Sequence, residues 1–171
     1  MIETKNLTKK FKDKTAVDSL NLKINKGELF SFLGVNGAVK TTTIKMLSFL
    51  SVPTSGDILI NGENIKDNTL EIKEILNLSP QETAIAPNLT VKENLEFMAG
   101  VYEICDKDKK INELVELFKL DEVLNQKSKT LSGGWQRKLS IAIALINNPK
   151  ILFLDEPTLG LDVISRKELW K

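Results

Sequence analysis

The sequence has no histidine and only one cysteine, Cys105. One thiol forms no internal disulfide, and without a histidine it has no base partner of the Cys–His kind, so Cys105 reads as a packing residue. An excess of one charge is also missing. Lys plus Arg total 24 against 23 Asp plus Glu, a net charge of +1, which lacks the basic surplus behind nonspecific nucleic-acid affinity. Nucleic acid is therefore not expected as a partner. Long apolar runs are absent as well: Ile141–Ile146 and Ile151–Leu154 are the longest, far below the roughly 18 residues that a membrane helix takes. Met1–Lys10 has no apolar segment of the signal-peptide kind, and the chain is expected in the cytoplasm. There is no internal repeat and no low-complexity linker.

What is present suffices for one core. The 171 residues are 42% apolar, which corresponds to one domain or slightly more. Leu20, Leu22 and Ile24 alternate with polar residues as in a half-buried strand, and Lys26-Gly27 turns the chain into the continuously apolar Leu29–Leu33, expected as a strand buried on both faces. Gly34-Val35-Asn36-Gly37 ends that run, and Ile44, Met46, Leu47 and Leu50 give Thr41–Leu50 a helical pattern. Further strands are expected at Asp57–Ile60, after the Pro53–Gly56 turn, and at Ile75–Leu78. Thr90 with Glu93 forms a capping-box pattern ahead of Leu95, Phe97 and Met98, and Ile111, Leu114, Val115 and Phe118 mark a second amphipathic helix. Ser132 is placed to cap a helix running to about Asn147, broken by Pro149, before the apolar strand Ile151–Leu154. Strands alternating with helices imply a mainly parallel α/β sheet.

Three stretches carry chemistry. Gly34-Val35-Asn36-Gly37-Ala38-Val39-Lys40-Thr41 approximates the phosphate loop G-x-x-x-x-G-K-[ST], in which small residues bring backbone N–H groups to the phosphates, Lys reaches β/γ oxygens and the hydroxyl holds Mg²⁺. Val39 stands where the second glycine belongs, so an ordinary glycine turn before a helix stays open from these residues alone. Ile151–Leu154 delivers Asp155 and Glu156 at a strand end, where ligands bind in open α/β sheets. Asp155 suits a Mg²⁺ anchor and Glu156 a base or orienter for water, with structural caps as the alternative. Leu131-Ser132-Gly133-Gly134-Trp135-Gln136-Arg137 joins a helix start to two glycines that permit close approach to an anion.

These stretches, in this order, resemble the ABC ATPases. In that family an LSGG-type signature stands just ahead of the strand ending in Asp-Glu and closes over ATP held by the opposite subunit. The resemblance runs from Ile2 onward and implies an α/β P-loop NTPase core with a mainly parallel sheet, an N-terminal antiparallel β subdomain and a helical signature subdomain at about 82–147, in one ABC-type domain spanning 1–171. It implies ATP and Mg²⁺ as cofactors. ATP would be bound by Gly34, Val35, Asn36, Gly37, Ala38, Val39, Lys40, Thr41 and Thr42, with Phe11 where the family stacks an aromatic on adenine and Val17 near it. Thr41, Gln81 and Asp155 would hold the metal, and Glu156 with Gln81 would be catalytic. Ser132, Gly133, Gly134 and Asp162, in Leu159-Gly160-Leu161-Asp162, would reach the nucleotide across a dimer.

Thr41-Thr42-Thr43-Ile44, Pro53-Thr54-Ser55-Gly56 and Asn88-Leu89-Thr90-Val91-Lys92-Glu93-Asn94 most resemble bacterial exporter subunits. The implied role is an ATP-binding subunit that dimerises with itself or a related subunit. It would lie peripherally on the inner membrane face and drive a separate permease. A non-catalytic partner that supplies its signature to an intact ATPase is the alternative. Two departures bear on activity. A β-branched residue at 39 is poorly tolerated if φ there is positive, and the family continues to a histidine on the γ-phosphate, whereas this chain stops at Lys171, so its domain is expected to be incomplete at the C-terminus.

Overall fold

The computed structural model describes residues 1–32 and 37–158. The chain divides into two units, Met1–Leu76 and Asn77 onward. In the first unit, strands β1 (Ile2–Phe11), β2 (Lys14–Ile24), β3 (Ser55–Ile60) and β4 (Glu63–Asn64) form one antiparallel sheet in the order β2-β1-β3-β4. Ile2 opposes Ile24 on one side and Ile60 on the other. The β1 register shifts between Thr4 and Leu7, where Asn6 adopts φ 49°. Gly56 faces this irregularity at φ +87°, and a Cβ there would lie 2.4 Å from the Asn6 carbonyl oxygen. Only glycine fits such an approach. Helix α1 (Gly37–Leu47) follows β2 in the described chain and buries Ile44, Met46 and Leu47, while α2 (Thr69–Glu74) buries Ile72.

The expected strand at Leu29–Leu33 is not observed over residues 29–32, which join no sheet. Leu29 is 85% exposed, and Phe30 and Phe32 meet edge to face at 5.0 Å. An apolar run states a preference for burial without supplying a strand to pair with, and a strand forms only where a ladder exists. The helix expected at Thr41–Leu50 starts earlier and ends sooner, at Gly37–Leu47.

In the second unit, β5 (Leu76–Ser79, which begins at the unit boundary) pairs with β6 (Ile151–Leu154) as a parallel two-stranded sheet. Between them lie α3 (Val91–Val101), α4 (Lys107–Phe118), two short 3₁₀ turns and α5 (Gly133–Ala144). Local sequence sets these boundaries. The Thr90 hydroxyl accepts from the Glu93 N–H at 3.2 Å while the Glu93 carboxylate accepts from the Thr90 N–H at 2.7 Å, a reciprocal cap on α3. The bond from the Thr90 N–H, followed by the Thr90 hydroxyl beside the carboxylate, holds the Glu93 carboxyl below its usual range. Asp106 caps α4 through the Lys109 N–H. Val91, Leu95, Ile111, Leu114, Leu139 and Ile143 pack into one cluster, since each helix presents an apolar stripe at 3.6-residue spacing. Asn94, buried within it, accepts from the Ala86 N–H and donates to the Ala86 and Thr90 carbonyls and to the Ser128 hydroxyl. Among the described residues, no helix is long and apolar enough to cross a membrane.

Candidate functional site

In the first unit the candidate residues gather at the start of α1. Gly34, Val35 and Asn36 lie outside the described residues, and Gly37 opens the helix. A helix N-terminus carries N–H groups without intrahelical acceptors and the positive end of the macrodipole. No acidic residue sits in the first turn of α1, and Lys45 occupies its last turn. Lys40, Thr41 and Thr42 follow within the first two turns, all partly buried. The Thr43 hydroxyl donates to the Val39 carbonyl at 2.8 Å.

The expectation of strain at Val39 rested on a positive φ there, and the structure removes that condition. Val39 is helical and is not among the residues with positive φ. Its side chain is 41% exposed. Phe11, 53% exposed at the end of β1, keeps an accessible ring with the Lys9 ammonium 5.1 Å from its centroid. Val17, in contrast, is only 4% exposed and lies among the buried residues of the first unit.

In the second unit, β6 ends on Asp155 and Glu156. Asp155 is 4% exposed, and its N–H donates to the carbonyl of Ser79, the last residue of β5, at 3.0 Å, extending the pairing one residue past β6. Glu156 has φ 48°, a left-handed backbone in a non-glycine residue, which costs on the order of 1–3 kcal/mol and persists only where the surroundings over-determine it. Gln81 follows Pro80 just beyond β5 and is exposed.

Arg137 on α5 joins these segments. It is buried, and its guanidinium donates from Nε to the Pro157 carbonyl at 3.2 Å, from Nη2 to the Asp155 carbonyl at 2.7 Å, and from Nη1 to the Pro80 carbonyl and to the Gln81 carbonyl at 3.5 Å. Burial pushes the Arg137 pKa down and the Asp155 charge pulls it back up. One turn along the same face, the Ser140 and Ser79 hydroxyls meet at 3.1 Å, both buried. Sequence reasoning quoted Arg137 but gave it no role, and it passed over Ser140. The available signal was a guanidinium placed i, i+3 and i, i+7 from Ser140 and Ala144 on a helix whose neighbouring positions are Leu139, Ile141, Ala142 and Ile143. A cation on that face must be buried, and a buried cation must find acceptors.

The signature stretch forms the opposite end of α5. The Ser132 hydroxyl accepts from the Trp135 N–H at 3.5 Å as the helix cap. Ser132 and Gly133 are exposed, and a Cβ added at Gly133 would meet nothing within 4 Å. Packing among the described residues therefore does not require that glycine. Trp135 packs against the helical cluster with the Lys138 ammonium 4.6 Å above its ring. Asp162 lies outside the described residues.

The two helix starts suit anions, because neither α1 nor α5 has an acidic residue in its first turn. Among the described residues, no three His, Cys, Asp or Glu side chains cluster into a cage. Mg²⁺ asks for less, since it takes one or two protein oxygens and completes its shell with water and phosphate. A threonine hydroxyl, an amide oxygen and a carboxylate fit that ion.

The chain is thus of the P-loop NTPase class, and within it belongs to the ABC transporter family, whose profile, described as "ABC transporter", matches residues 17–159. It is 41% identical over 172 residues to the probable multidrug ABC transporter ATP-binding protein YbhF of Escherichia coli (strain K12), covering 99% of this chain and 30% of that protein. It is 38% identical over 171 residues to the linearmycin resistance ATP-binding protein LnrL of Bacillus subtilis (strain 168), covering 99% of this chain and 55% of that protein. The chain thus spans less than two thirds of either relative. Among solved structures, a dimeric post-hydrolysis state of the ATP-binding cassette MJ0796 bound to ADP and Pi matches with TM-score 0.85 at 30% identity, covering 99% of this chain and 79% of that one.

Proposed function

We propose that this chain is the Mg–ATP-binding and hydrolysing subunit of an exporter, that it works as a dimer, and that it drives a separate membrane permease from the cytoplasmic face. The observation that carries the reading is the cluster at the end of β6, where Asp155 and Pro157, on either side of Glu156, and the Gln81 turn are held in one hydrogen-bonded group through Arg137 and Ser79. Lys40 and the backbone at the start of α1 would bind the phosphates, and Thr41, Gln81 and Asp155 would hold Mg²⁺. Bound ATP supplies a phosphoanhydride whose γ-phosphoryl group is transferred to water. Glu156 orients that water and accepts its proton, and Gln81 fixes its position. The exposed ring of Phe11 offers a stacking face for the base.

Support for the dimer comes from the exposed Ser132–Gly133 helix start, where a Cβ at Gly133 would meet none of the described residues within 4 Å, and from the dimeric cassette among its structural relatives. Export and the permease are supported by the multidrug and linearmycin-resistance relatives. Titration calorimetry with Mg–ATP should show binding to the wild-type chain that is lost in Lys40→Ala, and phosphate release that is lost in Glu156→Gln while binding is kept. A Ser132→Arg chain mixed with a competent partner should block ATP-driven closure of that partner. Absence of Mg–ATP binding by the wild type would overturn the reading.

A further inference from the structure

Glu156 is the residue between two of the acceptors held by Arg137. The carbonyls of Asp155 and Pro157 both receive bonds from this guanidinium, at 2.7 and 3.2 Å, and the residue between them has φ 48°. The other acceptors, the carbonyls of Pro80 and Gln81, belong to the turn that carries the second candidate catalytic residue. All four are main-chain atoms, so the guanidinium holds backbone position whatever the neighbouring side chains do. The Ser79–Ser140 hydroxyl pair fixes the same helix face to β5 one turn further on.

We propose that Arg137 is the positioning residue of the hydrolytic half of the site: its planar fork sets the spacing between the Gln81 turn and the Asp155–Pro157 turn and holds Glu156 in its left-handed conformation. Left-handed backbone at a charged, non-glycine residue relaxes unless something restrains it, and here the restraint is bonded to the carbonyls of both flanking residues, Asp155 and Pro157. A lysine cannot take over this role, since an ammonium is a point donor on a flexible stem and does not span four carbonyls as a rigid fork does. The catalytic consequence rests on the reading of Gln81 and Glu156 given above, whereas the conformational one does not.

Three measurements on the purified chain separate them. Amide hydrogen exchange on wild type, Arg137→Lys and Arg137→Met should show exchange at least tenfold faster at the Asp155 amide, which donates to the Ser79 carbonyl, in both variants, with α3 and α4 unchanged. Arg137→Lys serves where the methionine variant fails to fold. A double-mutant cycle with Glu156→Gly reads the restraint directly: the glycine should raise the denaturation midpoint of wild type and raise that of Arg137→Lys by less than half as much. In steady-state hydrolysis, Arg137→Lys should lower kcat at least tenfold with KM for Mg–ATP within twofold. Uniform acceleration of exchange across the helices, or equal midpoint gains in both backgrounds, would reduce Arg137 to a general packing residue and overturn the proposal. A wild-type chain that hydrolyses no ATP would overturn the functional reading, while exchange and the cycle would still decide the role of Arg137.

Discussion

Replacing Val39 is the sharpest test of how the start of α1 is built. Had position 39 been left-handed, a branched side chain there would cost about 1–2 kcal/mol, roughly a decade in nucleotide affinity, and glycine would recover it. Position 39 is instead helical, with its carbonyl taken by the Thr43 hydroxyl. Glycine then has no strain to relieve and loosens the helix by roughly 0.3–0.5 kcal/mol relative to valine. Only the bulk of the isopropyl group, 41% exposed at this end of the helix, is left to obstruct a phosphate. Alanine removes that bulk while improving helix propensity. The expected outcome in titration calorimetry with Mg–ATP, at one salt concentration and temperature, is a gain in affinity for Val39→Ala equal to or above that for Val39→Gly, with the glycine gain below tenfold. A gain of tenfold or more in the glycine variant alone would mean that the nucleotide-bound backbone at 39 is left-handed, and the reasoning from the helix would fail.

Gly56→Ala should destabilise the first unit by about 2–5 kcal/mol, adding left-handed strain to overpacking against the Asn6 carbonyl, as read from a urea midpoint; a change under about 0.5 kcal/mol, the scale of a neutral surface substitution, would refute the close approach. Asn94→Ala strips partners from buried backbone groups and should cost about 2–4 kcal/mol, lowering Tm by about 4–16 °C at this chain length; an unchanged Tm would show the network to be dispensable. Glu93 has a lowered pKa when folded, so its cap contributes fully above the usual glutamate range and is lost as pH falls through the lower folded value. The stability difference between wild type and Glu93→Ala should therefore shrink between neutral pH and about pH 3, across the usual carboxyl range, and a pH-independent difference would contradict the capping bond.

The legible parts of the fold were those written in local chemistry. Thr90 and Glu93 announce the start of α3, Ser132 caps α5, and the four apolar residues 151–154 form β6. Strand β1 escaped notice because its buried positions include Thr4 and Thr8, and the irregularity at Asn6 puts two exposed residues in a row, breaking the period-2 pattern. Residues 29–32 of the strand expected at 29–33 join no sheet for the opposite reason, a strong pattern without a described partner. Asp155, Glu156, Lys40 and the signature helix could be named as candidates because their chemistry sits in short spacings. The role of Arg137 depends on carbonyls 18 to 57 residues away, which no local pattern encodes. Val17 could be seen as apolar, but whether it faces a ligand or the core is decided by the packing around the sheet.

The left-handed backbone of Glu156 also makes this residue a marker for selection experiments. Glycine and asparagine tolerate that conformation better than glutamate, so a library of variants at position 156 sorted for heat resistance alone should drift toward them, while one sorted for turnover should hold glutamate. The two populations would diverge at this codon before they diverge at buried positions such as Leu95 or Leu139, where both criteria ask for the same side chain. A position at which resilience and activity draw the sequence apart is one that folding alone would not have chosen.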